Sequence, residues 1–223
     1  WDSFYSDYVS AYLELDVRDL INVQDETKFY SFMVACAARS AQLFNATDIG
    51  NAIDVDHKTA KAWLSVLQAS NIVRVIQPFW PNVDKRLSKT PKVFFMDTGL
   101  VCHLTRWTTP DQLRNGAVAG HVFETFVVSE VLKSYMNAGT NLRDVWFYRD
   151  AKKREINLVI QEGNVLHPVE IKMAATVGSD VVKNFGCLDS LSDYEVGFGH
   201  VVCQTDEPYL VTHNVQAVPV WEV

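Results

Sequence analysis

The chain has 223 residues, 48% of them hydrophobic and 21% charged, with a formal net charge of −7. That is enough apolar material for one large or two small domains, and it excludes disordered and fibrous classes. The acidic balance excludes a generic polyanion binder, so any nucleic-acid surface has to be a local patch.

Cys36, Cys102, Cys187 and Cys203 form no C-x-x-C pair and read as free, mostly buried thiols of a reducing compartment. No uncharged apolar run reaches the roughly 18 residues of a membrane span, and no signal peptide is visible. No membrane and a cytoplasmic location are therefore expected. The patterns G-x-x-x-x-G-K-[ST] and G-x-G-x-x-G are absent, so no nucleotide chemistry is expected from these residues. The chain opens on Trp1 without an initiator methionine and reads as a fragment starting mid-protein.

In chain order, Tyr5, Tyr8, Val9, Tyr12, Leu13 and Leu20 recur at helical steps and predict a helix over 3–20. Phe29, Phe32, Met33, Cys36 and Ala37 predict another over 27–43. Next, Asn45 or Thr47 can cap a short helix over 48–53, and Asp56 can cap a longer one over 57–70. The longer helix has Ala60, Trp63, Leu64 and Leu67 as its apolar face. Strands are predicted over 71–79 and 89–97. Short helix, turn, longer helix and two strands make a winged helix-turn-helix pattern.

Residues 57–92 carry Lys58, Lys61, Arg74, Lys85, Arg86, Lys89 and Lys92 against Asp84 alone, a local charge of +6. Two readings follow. In one, Lys58 and Lys61 meet phosphates or a groove of double-stranded DNA while Lys85 and Arg86 act from the wing. In the other, the winged helix packs on a protein and its lysines are only solvated.

From about residue 116 the pattern changes. A long helix is predicted over 116–139, with Val122, Phe123, Phe126, Val127, Val131 and Leu132 apolar and Gly139 as its stop. Strands follow over 145–150, 155–160 and 165–173, then a helix over 179–191 and two closing strands over 200–204 and 218–223. The order αβββαββ suggests a mixed sheet flanked by helices.

Alternation along the hairpin puts Ile156, Leu158 and Ile160 on one face, and Glu155, Asn157, Glu170 and Lys172 on the other. With the turn in "QEGN", Ile160 is expected to pair with Val165, which sets Glu155 opposite Glu170. A hard cation such as Mg²⁺ or Mn²⁺ would relieve that repulsion, as would Lys172 or water. The plain alternative is an amphipathic hairpin with its polar side in solvent. The six histidines show no metal-ligand spacing, and His167 reads as a core or boundary residue.

The stretches "RLSKTPKVFFMDTGLVCHL", "GHVFETFVVSEVL" and "WFYRDAKKREINLVIQEGNVLHPVEIKMA" resemble the C-terminal region of bacterial and archaeal AAA-type ATPases of the DUF4143 group. The resemblance implies an α+β chain. Residues 1–100 would be a helical and winged helix-turn-helix region, and 101–223 a PD-(D/E)xK, restriction-endonuclease-like α/β domain with a mixed central sheet. It also implies an ATPase part, with its ATP, preceding Trp1 and acting as a partner, and a homo-oligomer is a further option.

Residue by residue, the catalytic positions fall on Glu124, Asn157, Glu170 and Lys172, with Glu124 and Glu170 as metal ligands. Asn157 stands where the pattern has a metal-bridging aspartate. Asparagine offers a carbonyl oxygen without charge, which weakens affinity for a hard dication. The expectation is a DNA- or partner-binding fragment whose nuclease-like domain lacks full activity. The alternatives are an active metal-dependent nuclease and a module that assembles or regulates the ATPase.

Overall fold

The computed structural model describes residues 1–17, 26–82 and 89–223. These divide into two compact units, the first from 1–75 with 92–125, the second from 76–91 with 126–223.

In the first unit, α1 (Asp2–Ala11) runs into a π-helical stretch, Tyr12–Val17, and α2 covers Glu26–Ala37. Leu20, at the end of the helix predicted over 3–20, lies outside the described residues. The helix predicted over 27–43 ends early. Ala41 adopts a left-handed φ of 64°, and β1 (Gln42–Leu43) follows, antiparallel to β3 (Lys92–Phe95). Next come α3 (Ala46–Ile53), α4 (His57–Ala69) and β2 (Val73–Ile76), and the small sheet has the order β1-β3-β2.

The caps explain the helix starts. Asn45, rather than Thr47, accepts from the Thr47 and Asp48 amides, and Asp56 accepts from those of Lys58 and Thr59. The turn between α3 and α4 is tight enough to need Gly50, where a Cβ would lie 2.6 Å from the Val55 carbonyl oxygen. Phe29, Phe32 and Trp63 form the centre of the core, with Trp63 edge-on to both phenylalanines. Two short helices, α5 (Thr98–Leu104) and α6 (Pro110–Asn115), add to the predicted elements. Each is too short for a period to register, although Asp97 and Thr109-Pro110 are the capping signals for both.

Helix α7 (Ala119–Asn137) has residues in both units, and Gly139, at a φ of 67°, stands just beyond its end as expected.

The second unit is built on a mixed sheet of order β4-β5-β6-β8-β10-β9, with β7 beside β6. The strands are β4 (Val145–Arg149), β5 (Glu155–Glu162), β6 (Val165–Ile171), β7 (Glu195–Val196), β8 (Gly199–Cys203), β9 (Tyr209–Thr212) and β10 (Val215–Pro219). β4, β5 and β6 form an antiparallel meander, whereas β6–β8 and β8–β10 are parallel.

Three expectations need correction. Residues 179–191 form two 3₁₀ segments, Ser179–Val182 and Phe185–Ser190, and neither has a side-chain cap bond. β9 is a strand the sequence pattern does not announce. The closing strand starts earlier than predicted and ends at Pro219, which cannot donate to a ladder. Phe79, from the segment after β2, is fully buried in this unit's core and packs edge-on against Tyr194 and Trp146.

Candidate functional site: the β5–β6 hairpin

The hairpin turns at Gly163-Asn164, because Glu162 pairs with Val165. Gly163 takes a φ of 63°, a conformation that suits glycine in a two-residue hairpin loop. Ile160 therefore faces His167 instead of Val165, a shift of two residues from the expected register. Continued by one step beyond Leu158↔Val169, this register sets Asn157, and not Glu155, beside Glu170. The expected clash of Glu155 with Glu170 does not arise.

Strict alternation also fails along β5. On β4, Trp146 pairs with Val159 and Tyr148 with Ile156, so Phe147 alone stands against both Asn157 and Leu158. That is a β-bulge. Its effect shows in the core, where Ile156 and Val159 belong to the same cluster although alternation would set them on opposite faces. Asn157 sits inside the bulge, the usual device for re-aiming a side chain.

Asn157, Glu170 and Glu155 each have a partner, although the buried Glu170 Oε2 takes no hydrogen bond. Asn157 is buried, and its Oδ1 accepts from the Ile171 amide at 2.9 Å. Glu170, also buried, holds Lys172 Nζ at 2.7 Å. Glu155 is gripped by Arg149 at 2.6 Å, and its carbonyl accepts from Asn184 Nδ2 at 3.0 Å. The hairpin thus brings Asn157, Glu170 and Lys172 together and hands Glu155 to β4. Arg149 is a partner that sequence reasoning misses, because only the paired register puts it opposite Glu155.

Glu124 belongs to the first unit, where its carboxylate meets Lys92 Nζ at 2.8 Å, both side chains buried. This pair removes Lys92 from the basic surface expected over 57–92. Lys58 and Lys61 are exposed on α4 as that reading requires. Lys85 and Arg86 lie outside the described residues. Lys89 stacks over the Trp80 ring, 4.7 Å from its centroid. Acids stand nearby: Asp54 and Asp56 flank the α3–α4 turn, and Asp54 pairs with Lys28 at 3.0 Å.

These donors do not fit a hard dication. Among the described residues no group of three His, Cys, Asp or Glu side chains stands together to hold a metal ion. Asn157 offers no charge, its oxygen is spent on an amide, and Glu170 Oε1 and Glu124 Oε1 each hold a lysine, which leaves the buried Glu170 Oε2 as a single charged donor oxygen outside those bonds.

A family profile described as a domain of unknown function, DUF4143, matches residues 119–223, and another, DUF8612, likewise of unknown function, matches residues 1–111. The hairpin with Asn157, Glu170 and Lys172 lies within the DUF4143 match, while Lys58 and Lys61 lie in the DUF8612 match. Over 170 residues the chain is 25% identical to uncharacterized proteins of Mycobacterium bovis (Mb2031c) and Mycobacterium tuberculosis (Rv2008c). The match covers 76% of this chain and 37% of each of those proteins, so the chain spans well under half their length. No solved structure matches the chain. Among the described residues no helix is long and apolar enough to cross a membrane.

Proposed function

We propose that the chain is a binding module of an AAA-type ATPase, in which a winged helix is followed by a nuclease-like DUF4143 domain without a working metal site. The observation that carries the second part is Asn157. It is buried in the β5 bulge and committed to the Ile171 amide beside an internally neutralised Glu170–Lys172 pair. A nuclease of this type relies on a dication to lower the pKa of water and to stabilise phosphate charge. A site whose carboxylates are few and already paired has little to offer that ion. The mixed sheet with its antiparallel meander and the order of elements around the hairpin support the nuclease-like scaffold.

The winged-helix part is supported by the order α2, β1, α3, α4, β2, β3 and by two exposed lysines on α4. Double-stranded DNA is the proposed partner for that face. Asp54 and Asp56 at the α3–α4 turn favour a second reading, a protein partner, because acids at the entrance of the helix repel phosphates.

The test uses the native chain, Lys58→Glu with Lys61→Glu, and Asn157→Asp, with duplex DNA over a salt series and with Mg²⁺ or Mn²⁺. The expected result is salt-dependent binding that the double variant loses, and no cleavage by the native chain. Absence of binding at low salt removes the DNA reading and leaves the protein partner. Metal-dependent cleavage by the native chain that Lys172→Ala abolishes overturns the inactive-site reading.

A further inference from the structure

We propose that the β4–β5 turn, with Lys183 beside it, is a landing site for the phosphate backbone of a nucleic acid, on the unit that does not hold α4. The turn reads Arg149-Asp150-Ala151-Lys152-Lys153-Arg154-Glu155. Together with residues 179–184 it carries five cations against three acids, in a chain whose net charge is −7. Two of those acids are already answered. Asp150 holds Arg154 at 2.6 Å, and Glu155 holds Arg149 at 2.6 Å. The third, Asp180, is exposed on Ser179–Val182. Lys152, Lys153 and Lys183 are exposed, and none of them has an ion-pair partner among the described residues.

The backbone beneath these lysines is fixed. Asp150 Oδ1 accepts from the Lys152 and Arg154 amides at 2.8 and 3.0 Å, and its Oδ2 accepts from Arg154 Nε at 2.7 Å. The Asp150 carbonyl accepts from the Lys153 amide at 3.0 Å, and the Asp150 amide donates to the Arg154 carbonyl at 3.1 Å. Lys153 is held at a φ of 62°, a left-handed conformation that glycine adopts at less cost. A lysine placed where the backbone favours glycine points to a use for its side chain. Asn184 Nδ2 donates to the Glu155 carbonyl at 3.0 Å, which anchors the segment carrying Lys183 to the foot of the turn. A backbone ordered before any ligand arrives lowers the cost of binding one.

Chemistry decides the partner. Protein interfaces rest on buried aromatic and large apolar anchors, and between Arg149 and Glu155 the turn has neither. Anionic lipid surfaces call for clusters of about four to eight basic residues. With both arginines bound to carboxylates, the turn and Lys183 fall short of that. A phosphodiester backbone asks only for charge and donors, and each lysine can meet a phosphate as a point charge. Contacts of this kind position a nucleic acid and carry no sequence information.

The probes are a fluorescent DNA duplex and a fluorescent single strand, each in two unrelated sequences, titrated with the full chain from about 50 to about 200 mM salt and read by anisotropy. In Lys152→Ala with Lys153→Ala and Lys183→Ala, the slope of log affinity against log salt is expected to shrink by about one per lysine, equally for both sequences. Lys153→Gly is expected to melt no lower than the native chain, since glycine takes a φ of 62° freely, yet to lose about one unit of slope. Acetylation of lysines with and without the oligonucleotide, read by mass spectrometry, locates the contact. Protection of Lys152, Lys153 and Lys183 is expected, and protection of Lys58 and Lys61 reports the α4 face separately, so the two readings fail independently. An unchanged slope in the triple variant, or no protection of its three lysines, overturns the proposal. So does a polyglutamate peptide that binds as tightly as the oligonucleotides, which would make the turn a site for acidic protein.

Discussion

Asn157→Asp tests the reading of the hairpin through stability, independently of any reaction. The new carboxylate keeps an acceptor for the Ile171 amide, so the hydrogen bond at 2.9 Å survives. What changes is charge. Ile171 N is bonded to the Glu170 carbonyl carbon, so the two carboxylates would stand roughly 6 Å apart, on the order of 3 kcal/mol of repulsion at an effective dielectric of about 20. Lys172, at 2.7 Å from Glu170, offsets part of it. A net cost of about 1–3 kcal/mol remains, which lowers Tm by roughly 3–10 °C for a chain of this size.

The carboxyl introduced by Asn157→Asp titrates above its ordinary value for the same reason. Its folded pKa exceeds its unfolded one, so the penalty is absent below about pH 4 and grows as pH rises. Mg²⁺ or Mn²⁺ should then restore stability, by about 2.7 kcal/mol at a hundredfold excess over Kd, and leave the native chain unmoved. The assay is a set of melts with EDTA and with metal at pH 4, 6 and 8. A variant that melts like the native chain at pH 8 in EDTA, with no response to metal, refutes the placement of residue 157 beside Glu170.

Glu124→Ala should destabilise by about 3–5 kcal/mol, because it takes from the buried Lys92 the carboxylate 2.8 Å away, and Glu124→Leu with Lys92→Met should recover most of that loss in urea melts. A purely catalytic Glu124 would tolerate alanine without loss of stability. Burial pushes the Cys36, Cys102 and Cys187 thiols up, so the native chain should resist iodoacetamide at pH 8 and react after unfolding, as read by mass spectrometry. Backbone and side-chain hydrogen bonds from Thr59 and an amide bond from Lys58 hold the Asp56 carboxyl below its usual range. Its folded pKa lies below its unfolded one, so its contribution is present above about pH 4 and lost as pH falls further. Asp56→Asn should flatten the acid limb of a pH–stability curve without shifting its neutral end.

The helix starts were legible because a cap is a local event. Asp56 was readable from its place before an apolar period, and at Asn45 only the choice between two adjacent candidates stayed open. The partners of Asn157 were not legible, for two separate reasons. The turn sits at Gly163-Asn164, one of several loops that "QEGN" permits, and that choice moved the register by two residues. An even shift preserves which side chains share a face between β5 and β6, so the grouping of Asn157 with Glu170 survived a wrong register. The bulge is different. It is set by β4, a strand distant in sequence, and no period-two pattern within β5 announces it. Lys92 was counted as a surface cation because its pairing with Glu124 joins residues 32 apart in the chain. The segment over 179–191 carries an apolar rhythm that reads as a helix, but Gly178, Asn184 and Gly186 interrupt it, and only 3₁₀ turns form.

The path of the chain between its units has a consequence for inheritance. Residues 76–91 lie inside the stretch that matches DUF8612, yet they belong to the unit that holds the DUF4143 residues and deliver Phe79 to its core. A gene cut between the two matches would therefore leave the C-terminal piece with a hole where a fully buried phenylalanine belongs, a loss of about 3–5 kcal/mol by analogy with Phe→Ala. Recombination that shuffles one half without the other is penalised before any activity is considered.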